Sequence, residues 1–283
     1  MQRTYPEGVP SWVDTEQPDV EAAMAFYGAV LGWTFVTATP PDAPFRYVIA
    51  QLDGADVAGL GGPADPPRGD GPDPGGAHVP TWNTYVAVDD ADAGAARVSE
   101  LGGTVTQPPT PAGEGGRSVV ATDPLGAQVR LWEARRRLGA QAVNVPGAWN
   151  FSDLHSADRD AAARFYGALF GWQLDNLGFA TLVRRPGYGD HLDATVDPGI
   201  RERQAQGHVP PGFEDAIGWW LPLAAGEQAR WSVTFTVADR DAAARLVTEH
   251  GGTVLATEAN AWTRTALVRD PQGAELTLSQ FLG

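Results

Sequence analysis

Any chemistry in this 283-residue chain has to come from carboxylates, imidazoles, guanidinium groups, hydroxyls and aromatic rings, because the sequence has no cysteine and no lysine. Thiolate nucleophiles, thiolate-held zinc, disulfides, Schiff-base amines and a phosphate-loop lysine are excluded together. Five histidines remain: His78, His155, His191, His208 and His250. An imidazole changes charge near neutral pH, so one that faces a cavity can act as general acid or base. His155, after the first strand pattern of the second half, and His191, beside Asp190, are the two candidates. A solvated or structural role is the ordinary alternative for both. His78 and His208 lie in Gly/Pro-rich stretches, and His250 ends a helical pattern, where positive charge suits the dipole. Asp14 and Asp153 stand at matching places ahead of two similar helices. Either carboxylate could take a proton or hold a hydroxyl; capping the helix that follows is the bland alternative.

Aromatic rings are the other resource. Trp12, Trp82 and Trp132 fall on strand patterns of the first half. Phe151 and Trp231 do so in the second, and Trp219 and Trp220 lie in an aromatic segment, GWWLP, that has no apparent counterpart. Indole offers flat, polarisable area and one N–H donor, which suits stacking on a planar ligand. For any one tryptophan, ordinary sheet core is the competing role. No Ser-His-Asp order, GxSxG elbow or phosphate-loop spacing is present.

The elements that position these residues come in duplicate. Residues 14–33 read DTEQPDVEAAMAFYGAVLGW and residues 153–172 read DLHSADRDAAARFYGALFGW, identical at half their positions. VDDADAGAARVSELGGTV from Val88 is repeated as VADRDAAARLVTEHGGTV from Val237, and DPLGAQVRLW from Asp123 as DPQGAELTLS from Asp270. Val20, Met24, Tyr27 and Leu31 recur at helical spacing, with Asp19 placed to cap and Gly32 to terminate. Later helices start near Asp90 and Asp239 and stop at Gly-Gly pairs. Strand patterns surround them, so each unit reads β-α-β-β-β and each half holds two. The expected fold class is α+β: two tandem domains of paired βαβββ units, each a sheet curled into a half-barrel with helices outside. Domains are expected over 1–133 and 148–283, with a linker over 134–147, an insertion over 184–230 and a mobile loop over 61–80.

A formal net charge of −15 argues against a nucleic-acid or anionic-membrane partner. No apolar run approaches a membrane span and the N-terminal residues lack a signal-like core, so a cytoplasmic protein is expected.

These motifs resemble the vicinal oxygen chelate superfamily, which includes glyoxalase I, bleomycin-resistance proteins and extradiol dioxygenases. AFYGAVLGW and RFYGALFGW, VDDADA and VADRDA, and DPLG and DPQG carry the resemblance, in particular to the tandem two-domain subgroup. Some members of that subgroup are labelled hydroxylases beside aromatic polyketide pathways. The resemblance implies a divalent metal held by His, Gln or Glu at set strand positions. Here those positions fall on Trp12, Asn83 and Arg130 in the first half and on Phe151, Ser232 and Thr277 in the second. None is a good ligand, and an arginine repels a cation. Asp56 and Asp193 are the nearest carboxylates to the remaining position. Neither a metal nor another cofactor is expected.

The expected function is metal-free binding of a bulky aromatic or polycyclic small molecule, for sequestration or a role in secondary metabolism. The named pocket residues are Trp12, Trp82, Asn83, Arg130, Trp132, Phe151, Trp219, Trp220, Trp231, Ser232 and Thr277. The alternative is a lyase, isomerase or oxygenase-like enzyme acting on an aromatic metabolite, with Asp14, Asp153, His155 or His191 moving protons. An interaction module with closed cups is the third possibility. A monomer or homodimer fits any of these.

Overall fold

The computed structural model describes residues 2–65, 79–206 and 209–282. His78, His208 and most of the loop expected to be mobile lie outside them. The first repeat runs β1 (Pro10–Glu16), α1 (Val20–Leu31), β2 (Thr34–Thr37), β3 (Phe45–Leu52), β4 (Ala55–Pro63), β5 (Trp82–Ala87), α2 (Ala91–Glu100), β6 (Thr104–Pro111), β7 (Gly116–Thr122) and β8 (Gln128–Ala134). The second runs β9 (Trp149–Ser156), α3 (Arg159–Phe170), β10 (Gln173–Asn176), β11 (Thr181–Arg184), α4 (Tyr188–Ala194), α5 (Ile200–Gln206), β12 (Ala216–Pro222), β13 (Arg230–Thr236), α6 (Arg240–Glu249), β14 (Thr253–Ala259), β15 (Thr263–Arg269) and β16 (Glu275–Phe281). The protein is α+β, with two eight-stranded mixed sheets in the orders β2-β3-β4-β1-β5-β8-β7-β6 and β10-β11-β12-β9-β13-β16-β15-β14. Each sheet joins two βαβββ modules, with the helices outside. The GWWLP segment is strand β12, at the sheet position that β4 holds in the first repeat. It therefore has a counterpart, hidden in sequence because that counterpart is the glycine-rich run VAGLGG.

The helix ends follow from single residues. Asp19 caps α1 by accepting the Ala22 N–H, and Gly32, at φ +75°, closes it in the left-handed region. Asp158 and Gly171 do the same for α3, and Asp90 and Asp239 cap α2 and α6. The N-caps of α1 and α3 being Asp19 and Asp158, Asp14 and Asp153 lie inside β1 and β9 instead, so the bland alternative for them falls away.

The chain packs as two compact units, and each unit takes modules from both repeats. One contains Met1–Trp12, Thr84–Gly139 and Phe151–Trp231. At its centre Tyr166, fully buried on α3, donates to Asp123 Oδ2 at 2.8 Å. Asp123 Oδ1 accepts the Leu125 and Ala127 N–H groups at 2.8 and 2.9 Å, which shapes the DPLG turn. Trp172 stacks on Tyr166 at 4.9 Å and donates to the Gly8 carbonyl. The other unit contains Val13–Asn83, Ala140–Asn150 and Ser232–Gly283. There Tyr27 of α1 donates to Asp270 Oδ2 at 2.8 Å, beside the Gln17 amide, while Asp270 Oδ1 accepts from Gln272 and Ala274. Trp33 stacks on Tyr27 at 5.5 Å and donates to the Gly147 carbonyl. The tyrosine of each repeat's FYGA helix thus meets the aspartate of the other repeat's DPxG turn.

Burial first, and then the neighbouring carboxyl charge, push both phenols well above their ordinary range, so each stays a donor. Removing one hydroxyl leaves a buried carboxyl oxygen short of a partner, which costs about 1–3 kcal/mol. Tyr27→Phe and Tyr166→Phe are each expected to lower the urea midpoint accordingly; midpoints unchanged in both would contradict these bonds.

Candidate functional site

The two homologous aspartates sit in different surroundings. Asp14 is 2 % exposed. It accepts from Tyr47 Oη at 2.9 Å and from Asn83 Nδ2 at 2.9 Å. Tyr47 reaches it because Gly59, opposite Asp14 in the parallel β1–β4 pair, has no side chain. A Cβ at Gly59 would lie 2.1 Å from the Tyr47 hydroxyl. This carboxyl is enclosed by its own repeat.

Asp153 occupies the same place on β9. Parallel pairing of Trp220 with Leu154 sets Trp219 opposite Asp153, where the first repeat has Gly59. The antiparallel registers carry the comparison further. Ile49 pairs with Gly59 and Leu182 with Trp219, so Ala180 stands where Tyr47 stands. The equivalent of Asn83 is Ser232, whose side chain is shorter. Asp153 Oδ1 accepts the Trp219 backbone N–H at 3.0 Å, and the group takes no other hydrogen bond among the described residues. Burial, only partly offset by that N–H, pushes its carboxyl up to about 7.

Alternation along β9 fixes what shares its face. Ser152, Leu154 and Ser156 are buried, and Leu154 belongs to the core with Phe165 and Tyr166 of α3. Phe151, Asp153 and His155 therefore point to the opposite face and are all half-buried. The 3₁₀ turn Phe213–Asp215 brings Phe213 to 6.3 Å from Phe151 and 6.2 Å from Trp219, ring centre to ring centre. That turn is held by Arg201, which pairs with Glu214 and with Asp190 of α4, and by Asp215, which accepts the Gly189 N–H. Phe213 was not among the residues singled out in sequence; its only signal was an aromatic residue shortly before the GWWLP segment. Burial, with Arg230 adding to it and Glu227 opposing, lowers the His155 imidazole to about 4, so it is neutral at physiological pH. One unit thus presents three partly exposed rings, a carboxyl poised near neutrality and a neutral imidazole.

Other singled-out residues go elsewhere. Trp82 packs edge-on against Tyr27 and Phe235, and Trp231 against Tyr166 and Trp172. They are 4 % and 8 % exposed, so the expectation that they contact ligand is corrected: both are core. Trp220 lies on the helix-side face of β12, donating to Ser156 Oγ, and is likewise removed from the face that holds Asp153. His191, on α4, stacks on Tyr188 and lies 3.0 Å from the Thr4 carbonyl. Tyr85, Arg130 and Trp132 form a separate patch, with Arg130 Nη1 donating to Tyr85 Oη at 2.8 Å and Trp132 Nε1 to the Arg137 carbonyl. Trp12 is half-buried on the Asp14 face of β1. Ser232 and Thr277 are half-buried on β13 and β16, where Thr277 pairs with Thr234.

The donor chemistry at the family's metal positions does not fit a divalent ion. Asn83 spends its N–H on Asp14, Arg130 places a guanidinium there, and the other positions carry an indole, a phenyl ring and two neutral hydroxyls. Asp56 accepts from Gln51, and Asp193 lies on α4 rather than on a strand, accepting from Gly199. Among the described residues no three His, Asp or Glu side chains come together as a ligand set.

Comparison with known proteins supplies the family. Residues 16–131 match the glyoxalase/bleomycin resistance protein/dioxygenase superfamily, and residues 149–279 match the glyoxalase-like domain. CFP32 of Mycobacterium tuberculosis, named as a candidate glyoxylase, is 34 % identical over 272 residues, covering 95 % of this chain and 94 % of that protein. The anthracycline biosynthesis protein DnrV of Streptomyces peucetius is 32 % identical over 283 residues, covering 98 % and 94 %. The Mn(II)-bound glyoxalase from Novosphingobium aromaticivorans shares the fold at 16 % identity and a TM-score of 0.59, over 99 % of this chain and 83 % of that one. The chain belongs to the glyoxalase/bleomycin resistance protein/dioxygenase superfamily, with two tandem domains.

Asp153 and His155 give stability opposite pH slopes. An unfolded aspartate titrates near 4 and Asp153 in the fold at about 7. Its contribution is therefore full below about 4 and lost as pH rises through about 7. An unfolded histidine titrates near 6.5 and His155 in the fold at about 4; its contribution is full above about 6.5 and lost as pH falls through about 4. Urea midpoints across this range are expected to lose the first slope in Asp153→Asn and the second in His155→Gln. Slopes that persist in both variants would contradict the assignments.

Proposed function

We propose that this member of the superfamily binds a flat aromatic or polycyclic small molecule without a metal, on the Phe151–Phe213–Trp219 surface of the unit that holds Asp153. The observation that carries this reading is the open aromatic trio. Each ring keeps part of its area exposed, although burying it would be favourable, and two rings meet edge-on or tilted around the third. Ligand-poor chemistry at the metal positions supports a binding mode that rests on stacking. The name of the relative DnrV, an anthracycline biosynthesis protein, supports a polycyclic ring system and a place in secondary metabolism, either as carrier or as a sequestering protein.

A second reading is favoured by the Asp153 carboxyl at about 7. A group half-ionised at neutral pH can take a proton from a ligand hydroxyl and return it, which makes the chain an acid–base enzyme on the same class of molecule. The readings separate by mass spectrometry of the recovered ligand. An unaltered ligand supports binding alone, and a product whose formation stops in Asp153→Asn supports the enzyme.

Tryptophan fluorescence titration with anthraquinone tests the binding site itself. The full chain is expected to bind at micromolar concentrations. Trp219→Ala is expected to weaken binding about tenfold, the equivalent of about 1.4 kcal/mol, with Trp132→Ala close to the parent. No saturation with the parent protein, or equal loss in both variants, would overturn the placement.

A further inference from the structure

We infer that Asp153 is the polar anchor of this surface and selects an aromatic ligand that carries a ring-edge hydroxyl, while Asp14, its copy in the first repeat, has been closed to ligand from within. The inference rests on the proposed aromatic-binding site and names the substrate class that site prefers.

Three observations converge on it. First, one oxygen of Asp153 is committed to the Trp219 N–H and the other has no hydrogen bond among the described residues. That oxygen is open to solvent rather than sealed in the core, so a ligand hydroxyl can reach it. Second, the anchoring N–H belongs to Trp219 itself. The carboxyl and the indole are therefore fixed by one strand pair, and Phe151 follows two residues away on the same face of β9. A ring stacked there has its edge near the carboxyl. Third, the first repeat shows what filling this place looks like. Tyr47 brings a phenolic O–H to Asp14 at 2.9 Å through the gap left by Gly59. A phenol is thus what an aspartate at this strand position accepts, and in the second repeat Ala180 and Trp219 remove the internal phenol and replace the gap with a stacking surface. Asp153 is left ready for a phenol that arrives from outside.

Both states of the carboxyl serve this role. The ionised form accepts the ligand O–H, and the protonated form donates to the ligand oxygen, so recognition of the hydroxyl does not depend on which is present. Asp14 has both of its oxygens engaged by protein, by Tyr47 at one and Asn83 at the other.

The test compares anthraquinone with a monohydroxyanthraquinone whose hydroxyl lies away from the quinone carbonyls, by fluorescence titration of the full chain at pH 6. The parent protein is expected to prefer the hydroxy compound by about tenfold or more. Asp153→Leu is expected to abolish the preference, with a circular dichroism spectrum like the parent's showing that the variant is folded. Asp153→Asn, should the leucine variant fail to fold, is expected to reduce the preference severalfold. Asp14→Asn is expected to retain it in full. Equal affinity of the parent protein for both probes, a preference that survives both Asp153 variants, or one lost in Asp14→Asn would overturn the assignment. In each of those cases anthraquinone binding itself survives, so the aromatic site stands. Absence of binding by either probe removes both conclusions.

Discussion

Two buried hydrogen bonds, Tyr27 to Asp270 and Tyr166 to Asp123, hold the architecture in register. Each joins the FYGA helix of one repeat to the DPxG turn of the other, inside a single compact unit. Each aspartate shapes its turn with one oxygen and accepts the tyrosine with the other. Buried away from water, the phenol and the carboxyl are each costly to leave unmet, so the pairing specifies which modules combine and at what depth the helix sits. The stacked tryptophans Trp33 and Trp172 add area and a second fixed donor. What looks in sequence like two copies side by side is, in packing, two units that each need both copies.

Duplication of this kind frees one copy of a position to change while the other keeps its packing. The β1 and β9 aspartates show the result. Asp14 is locked by a tyrosine, an amide and a glycine that makes room for the tyrosine. Asp153 has lost the tyrosine to Ala180 and the glycine to Trp219, and it carries a raised pKa as a consequence of burial with one N–H to balance it. The insertion between β11 and β12 then supplies Phe213 from above, held by Arg201 and Asp215. The change from a filled cup to an aromatic surface with a poised carboxyl involves few residues, and all but Ser232 on β13 lie between β9 and β12.

Local features were legible in the sequence and non-local ones were not. Asp19, Asp158, Gly32 and Gly171 announce helix ends because capping and left-handed turns depend on residue type and near neighbours. The repeat itself showed two βαβββ modules per half. The exchange of modules between units was invisible, since a Tyr–Asp bond spanning 243 positions leaves no local pattern. β12 was obscured for another reason: its first-repeat counterpart substitutes glycine for tryptophan, and composition alone does not reveal that the two strands pair with equivalent neighbours, β1 and β9. Trp82 and Trp231 misled because a strand tryptophan reads the same on either face of a sheet. Asp14 and Asp153 were found as a pair, but their divergence depends on Tyr47, which reaches Asp14 across a strand register.

A crystal structure of the full chain soaked with the hydroxyanthraquinone tests the central claim most directly. The ring is expected to stack on Trp219, edged by Phe151 and Phe213, with its hydroxyl within hydrogen-bonding distance of Asp153. A ring seated instead on the Tyr85–Trp132 patch, or one held through a metal at the family's ligand positions, would contradict it.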